Sequence, residues 1–387
     1  MAWNARVEGV APFRVMSLLE MAQQRESEGH DVIHLEVGEP DFASPPSVVA
    51  AAQQALAQGR TRYTPATGIA PLREAIAGHY RQHFSAEVDP QRIIVTPGAS
   101  GALMLASQLL VGAGDRVLMA DPNYPCNRHF MALAGASVDA VSVSAESGWQ
   151  LTAELIEQHW QDDTRLAMLA SPSNPTGHVL AADELGKVVN SVKARGGHLL
   201  VDEIYQGLNF GMAPLSVASM SDSAFVVNSF SKYFGMTGWR LGWLLAPEEA
   251  VEPLTRLAQN MFLAPSTPAQ YAALAAFTPE CRELLEARRK ELEARRNALL
   301  EGLARLGLAP TLAPQGAFYV WLDISALSTD SEVFCRRLLE QHNVAITPGT
   351  DFAVQGGEHH VRIAFTTSVP RLEEALERLQ RFIAEQG

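Results

Sequence analysis

From Arg92 to Pro247 the chain alternates short β-rich runs with segments of helical length, and few folds accommodate that rhythm. The runs are Arg92–Thr96, Arg116–Ala120, Ser137–Val143, Leu166–Ala170, His198–Val201, Phe225–Asn228 and Leu241–Ala246. Several are apolar throughout rather than alternating, as strands covered by helices on both faces must be. Strand and helix in turn mean an α/β domain built on a mostly parallel, seven-stranded sheet with helices on both faces. Residues Pro279 to Leu308, rich in Glu, Leu, Ala and Arg, read as one long, charged, surface-facing helix. Beyond it, Gly316 to Leu322 and His360 to Phe365 read as strands, and Ser331 to His342 and Arg371 to Ala384 as helices. These make a smaller α+β unit, which the N-terminal helix from Arg14 to Ser27 joins. The expected division is a large domain over 45–285 and a small one formed by 1–44 and 286–387.

In an open α/β sheet, ligands bind in the crevice outside the carboxyl ends of the strands. Five polar or glycine-rich turns fall there. They are Thr96-Pro-Gly-Ala-Ser-Gly101, Asp121-Pro-Asn-Tyr124-Pro, Ser171-Pro-Ser-Asn174-Pro-Thr-Gly177, Asp202-Glu-Ile-Tyr205 and Ser229 to Lys232. Each alone is ordinary loop punctuation. Together they gather around an unusual lysine. Only four of the chain's 30 basic residues are lysines, and Lys187, Lys193 and Lys290 sit in polar or charged helical stretches that read as solvated faces. Lys232 instead leaves an apolar strand into a glycine- and hydroxyl-rich loop ending on Arg240. A lone amine there, beside groups suited to an anion, suggests a Schiff-base lysine; the alternative is a stray surface residue.

The other turns can be given matching tasks. Gly98, Ala99 and Ser100 open an Ala-rich helix whose free N–H groups and dipole suit a phosphate. Ser229 and Arg240 add a hydroxyl and a fixed charge to it. Asp202 ends an apolar strand, where a half-buried carboxylate needs a cationic or hydrogen-bonding partner. A protonated pyridine nitrogen would serve; an N-cap or a structural ion pair is the rival. Tyr205 and Asn174 can hydrogen-bond a phenolate oxygen, and Tyr124 offers a ring to stack on. Lysine, aspartate, phosphate cradle and aromatic face together describe a site for pyridoxal 5′-phosphate.

Composition excludes other classes. A net charge of −13 leaves no basic stripe for nucleic acid. Cys126, Cys281 and Cys335 are too scattered for a disulfide framework or a zinc site, which favours a reducing cytoplasm. The stretch Met1 to Val10 lacks the apolar core of a signal sequence, and no apolar stretch is long enough to span a bilayer. The pair His359-His360 reads as surface rather than as metal ligand.

On the motifs Val37-Gly-Glu-Pro-Asp-Phe42, Ser171 to Gly177, Val201-Asp-Glu-Ile-Tyr205 and Ser229 to Arg240, the chain resembles a known family over nearly its whole length. It is similar to the fold-type I, class I/II pyridoxal-phosphate aminotransferases of the aspartate aminotransferase superfamily. The resemblance implies ping-pong transamination between an L-amino acid and a 2-oxo acid, with Lys232, Asp202 and Tyr205 catalytic. It further implies that Gly38 and Asn174 meet the substrate and that Arg362 grips its α-carboxylate. Tyr63 resembles the tyrosine that reaches the neighbouring subunit's phosphate, which implies a homodimer with shared sites. Aspartate-preferring members of the similar subgroup can carry a lysine where this chain has Ser100. Its absence, with the apolar cluster Phe13, Val15 and Met16, points to a neutral donor (alanine, branched-chain or aromatic); 2-oxoglutarate is the acceptor expected beside it. Arg14 or Arg128 would restore an aspartate preference if either faced the substrate. A C–S β-lyase or related synthase on the same scaffold keeps the same lysine, aspartate and arginine. A non-catalytic regulator module would need a DNA-binding domain ahead of a first motif that begins only about forty residues in.

Overall fold

The computed structural model describes residues 5–385. Residues 1–4, part of the stretch read above for a signal sequence, lie outside the described residues, as do 386–387 at the end of the expected small domain. Strand β1 (Ile33–His34) belongs to the N-terminal segment. The main sheet takes β2 (Ile93–Thr96), β3 (Arg116–Asp121), β4 (Ser137–Ser142), β5 (Thr164–Ala170), β6 (His198–Asp202), β7 (Phe225–Ser229) and β8 (Gly242–Leu245). All seven apolar runs are strands of this one sheet, in the order β2-β8-β7-β6-β5-β3-β4.

The continuous apolarity of the runs has a direct structural cause. Alternate residues of each strand enter two different apolar layers, one on each face. Val95, Leu118, Ala167, Val201, Val226 and Leu245 pack on one side. Their chain neighbours Ile94, Val117, Met168, Leu200, Val227 and Leu244 pack on the other. Pairing is parallel except around β8, which runs antiparallel to both β2 and β7. Gly242 is in register with both Thr96 and Ser229, so the amino end of β8 meets the carboxyl ends of its neighbours. That reversal carries Arg240 to the edge where the five turns open.

The C-terminal part adds β9 (Tyr319–Asp323), β10 (Val344–Ala345), β11 (Thr347–Pro348) and β12 (His360–Ala364). Strands β11, β12 and β9 form an antiparallel sheet, while β1 pairs in parallel with β10. The helix Arg14–Ser27 packs here, as expected. Phe13, at its N-cap, offers no side-chain acceptor. Asp351 takes that role from a distant segment, accepting from Arg14 N–H at 3.0 Å and Val15 N–H at 3.2 Å. At the other end Arg25 Nε donates to Asn343 Oδ1 at 2.9 Å.

One expectation needs correcting. The long helix, Pro279–Arg305, faces solvent on one side only. Leu285, Leu292, Leu299 and Leu303 are buried on the other. Arg295 is buried too, its guanidinium donating to Asp41 Oδ1 (2.7 Å) and Thr366 O (2.8 Å). A narrow apolar stripe lies hidden within the charge run. His360 lies flat on Trp321, ring centres 5.0 Å apart. Among the described residues, no helix is long and apolar enough to cross a membrane.

Candidate active site

A cavity of about 250 Å³ opens at the edge where the turns converge. Of the site residues singled out from the sequence, all but Gly98 and Tyr63 line it. Lys232 leaves β7 and enters the cavity, where its Nζ donates to Gly38 O at 2.7 Å. The rings of Phe318 and Tyr205 stand 5.7 Å and 5.9 Å from the amine. Removal from water lowers its pKa to about 8; Glu39 opposes this, and the charges of Arg362 and Arg240 add to it. A lysine so placed gives up its proton far more readily than an ordinary lysine does.

Asp202 ends β6, buried, and its Oδ1 accepts from Ile204 N–H at 3.1 Å. Burial raises its pKa to about 7, against that hydrogen bond and the nearby Lys232 charge. The rival capping role is thus met only in part, by one turn N–H. Among the described residues Asp202 has no ion-pair partner, and a cationic ligand nitrogen would supply the partner that a buried carboxylate needs.

The turn after β2 is built by close backbone approach. The helix Gly98–Leu110 receives no side-chain cap. A Cβ on Gly98 would meet Arg240 Nη2 at 2.5 Å, so only glycine lets the guanidinium lie against the helix start. A Cβ on Gly242 would meet Gly98 C at 2.7 Å and Ala99 N at 2.8 Å. Arg240 itself adopts a left-handed φ of 52°, a conformation uncommon for a residue with a side chain. Its Nη1 donates to Thr237 O at 3.0 Å. Ser229 Oγ accepts from Ser231 N–H at 3.0 Å and lies 2.9 Å from Ser231 Oγ.

Across the cavity Arg362 projects from β12, buried between the rings of Tyr319 (4.3 Å) and Phe352 (4.5 Å). Nη1 donates to Asn174 Oδ1 at 3.1 Å, and Nη2 to Thr347 Oγ1 at 3.3 Å and to Glu36 O. Asn174 Nδ2 in turn reaches Tyr205 OH at 3.5 Å, and the hydroxyls of Tyr205 and Tyr319 are 2.9 Å apart. Gly38 lies under that pair, where a Cβ would come within 2.0 Å of Tyr319 OH. Sequence reasoning missed Tyr319, Thr347 and Glu36. The run around Tyr319 reads as uniformly buried, and nothing in it marks the ring that faces the cavity.

The remaining wall is apolar: Phe13, Val15, Met16 and Leu19 from the N-terminal helix, with Leu103 and Phe130. Tyr124 meets Phe13 edge to face, with centres 5.8 Å apart. The cations lining the cavity are Lys232, Arg240 and Arg362. Arg14 pairs with Glu332 and Arg128 donates to Asp351 O at 3.2 Å, both beside a neighbouring hollow rather than the cavity. Tyr63 is 84 % exposed and stands outside the cavity.

Comparison with known proteins settles the family. The model for class I and II aminotransferases matches residues 30–379. The chain belongs to that family. This aminotransferase is 38% identical over 380 residues to a valine–pyruvate aminotransferase of Mycobacterium tuberculosis, covering 98% of each chain. It is 35% identical over 383 residues to an aspartate/prephenate aminotransferase of Thermus thermophilus, again covering 98% of each. The crystal structure of an aminotransferase from Mycobacterium tuberculosis superposes with a TM-score of 0.96 at 38% identity, covering 100% of both chains. The aminotransferase is therefore a pyridoxal-phosphate enzyme of fold type I. The residues present fit that cofactor: a buried carboxylate without an ion-pair partner among the described residues, an uncapped helix start beside an arginine, and a desolvated amine lining the same cavity.

Proposed function

We propose that this aminotransferase moves an amino group from a neutral L-amino acid, branched-chain, aromatic or alanine, to a 2-oxo acid. The observation that carries the reading is the cavity wall. Its three cations each have a task, and the surface left for a substrate side chain is Phe13, Val15, Met16 and Leu19. A second carboxylate buried against that surface would lack a partner and cost several kcal/mol, on the order of 2–7 or more. The same wall weighs against the 2-oxoglutarate read from the sequence and favours a monocarboxylate acceptor such as pyruvate. The name of the valine–pyruvate relative supports this pairing.

In this reading Lys232 would hold the cofactor covalently and Asp202 would partner its pyridine nitrogen. The helix start at Gly98, Ala99 and Ser100, with Ser229 and Arg240, receives the phosphate. Tyr124 would offer its ring to the cofactor ring, and Asn174 and Tyr205 would hydrogen-bond its phenolic oxygen. When bound, pyridoxal phosphate supplies an electron sink for the charge left on substrate Cα. Arg362 grips the α-carboxylate through paired N–H donors, and the Gly38 backbone limits the space beside it. Once the incoming substrate amine has displaced it from the cofactor, Lys232 Nζ, made easier to deprotonate by desolvation, would take the proton from Cα. Asp202, ionised opposite a cation, keeps the nitrogen it faces protonated. The two half-reactions alternate in ping-pong order.

We further propose a homodimer in which Tyr63 reaches the phosphate of a second copy, a cytoplasmic location, and two domains over 45–285 and over 1–44 with 286–387. The separate sheets of β9, β11 and β12 and of β1 and β10 support the division. The donor reading is tested by half-reactions, following the cofactor absorbance as single amino acids are added. Valine, alanine or an aromatic amino acid should react at least about tenfold faster than aspartate, the factor given by about 1.4 kcal/mol. Aspartate reacting faster than all of these would overturn the neutral-donor reading.

A further inference from the structure

Glu36 is a buried carboxylate that the reaction does not use. Its side chain is fully enclosed, with Oε1 2.7 Å from His34 Nδ1 and Oε2 without a hydrogen-bond partner among the described residues. The other ring nitrogen of His34, Nε2, lies 3.2 Å from Glu26 Oε1. A neutral imidazole has one N–H and cannot donate to both carboxylates; the protonated ring can. Each carboxylate belongs to a different part of the site. Glu26 sits on the helix Arg14–Ser27, which supplies the apolar wall. Glu36 sits just beyond β1, and its own carbonyl accepts from Arg362 Nη2 and from Thr347 Oγ1.

We propose that His34 is a positioning residue that clips the helix bearing the substrate side-chain wall to the segment that seats Arg362. The inference rests on the reading of Arg362 as the carboxylate clamp. Hydrogen bonding to Glu36, reinforced by Glu26 and opposed by burial, raises the His34 pKa to about 9. Other charged groups nearby are already engaged. Arg25 of the same helix donates to Asn343 Oδ1, and Asp31 is held by Arg371 and Arg378 from the C-terminal helix. The clip is therefore closed through neutral pH and opens as His34 loses its proton above about 9. Once it opens, the enclosed Glu36 charge has no counter-ion, and the segment under Arg362 loses its tie to the helix.

The test measures binding of isovalerate, a branched carboxylate with no amine to titrate, to the holoenzyme by calorimetry between pH 6.5 and 10. In the parent protein the Kd should stay level to about pH 8.5 and then weaken at least about fivefold, the low end of coupling between separate sites. His34→Gln should bind at least about fivefold more weakly at pH 7.5, without the alkaline step that the parent has, while kcat at saturating donor changes little. Parent-like binding at pH 7.5 in His34→Gln, or an unchanged step, overturns the proposal. Should that variant fail to fold, Glu26→Gln carries the test at a partly exposed position. It should move the step to lower pH, and an unmoved step again overturns the proposal. Arg362→Lys separates the two readings. If it leaves the Kd unchanged, the clamp assignment falls and this inference with it; if it weakens binding while His34→Gln does not, only the role of His34 falls.

Discussion

At the scale of single residues, Lys232 and Asp202 are both held away from their ordinary charge states by burial, in opposite senses. The lysine amine, lowered to about 8, should recapture pyridoxal phosphate into the apoenzyme with a rate that rises with pH through about 8. An ordinary lysine would place that rise near about 10.4. Stopped-flow absorbance measures it, and borohydride fixation with peptide mapping should place the pyridoxyl label on Lys232. Lys232→Ala should lose essentially all turnover, since a missing general base alone costs roughly 10²- to 10⁴-fold. Asp202 makes a second prediction, with a sign that separates stability from activity. Its folded pKa, about 7, lies above the unfolded value, so the native apoprotein holds the extra proton between about pH 4 and 7. Stability of the apoprotein therefore falls as pH rises through that window, by up to about 1.4 kcal/mol for each unit of pKa difference. Asp202→Asn should make the apoprotein more stable than its parent at pH 8 in denaturant titrations. The same substitution should cut turnover of the loaded enzyme by orders of magnitude, because the facing nitrogen loses its counter-charge.

At the scale of elements, the cradle depends on two glycines that let β8 and the helix Gly98–Leu110 nearly touch. Gly242→Ala places a methyl within 2.8 Å of backbone on two sides, Ala99 N and Asn228 O, and neither can swing aside. The expected loss is about 1–3 kcal/mol of stability with weakened cofactor binding, read by thermal denaturation and by titration of the apoenzyme. Gly98→Ala meets a movable guanidinium instead, but at a φ of +70° that disfavours a side chain. It should weaken cofactor binding more than it lowers stability. How much of this was legible in the sequence varies by element. The central strands were legible because both of their faces are buried, so apolarity survives at nearly every position, whereas β4 at the sheet edge keeps Ser137, Asp139 and Ser142. The direction of β8 was not, since an apolar run reads the same forwards and backwards. The buried stripe of the helix Pro279–Arg305 was masked by its charges. The His34–Glu36 contact was invisible for a different reason: β1 has two residues, too few for any period to register.

At the scale of the whole molecule, Tyr63 is the aromatic residue whose placement the single chain does not explain. A tyrosine ring 84 % exposed, on a chain whose other large rings are mostly enclosed, suits a surface that a second copy covers. Tyr63→Phe should loosen pyridoxal phosphate by about 1.5–3 kcal/mol, the worth of one hydrogen bond to a charged group. Equilibrium dialysis of the cofactor checks that value, and sedimentation should give an unchanged assembly state. A Tyr63→Phe variant with parent affinity would remove the shared-site reading. The reversed strand, finally, constrains what variation this lineage can tolerate. The loop from Ser229 to Gly242 is fastened at both ends by strand register, with the amine near its start and Arg240 near its close. An insertion or deletion within it would change the separation of Lys232 from Arg240. Length changes should therefore be purged here and accumulate instead in exposed turns away from the cavity, such as the one around Gly211.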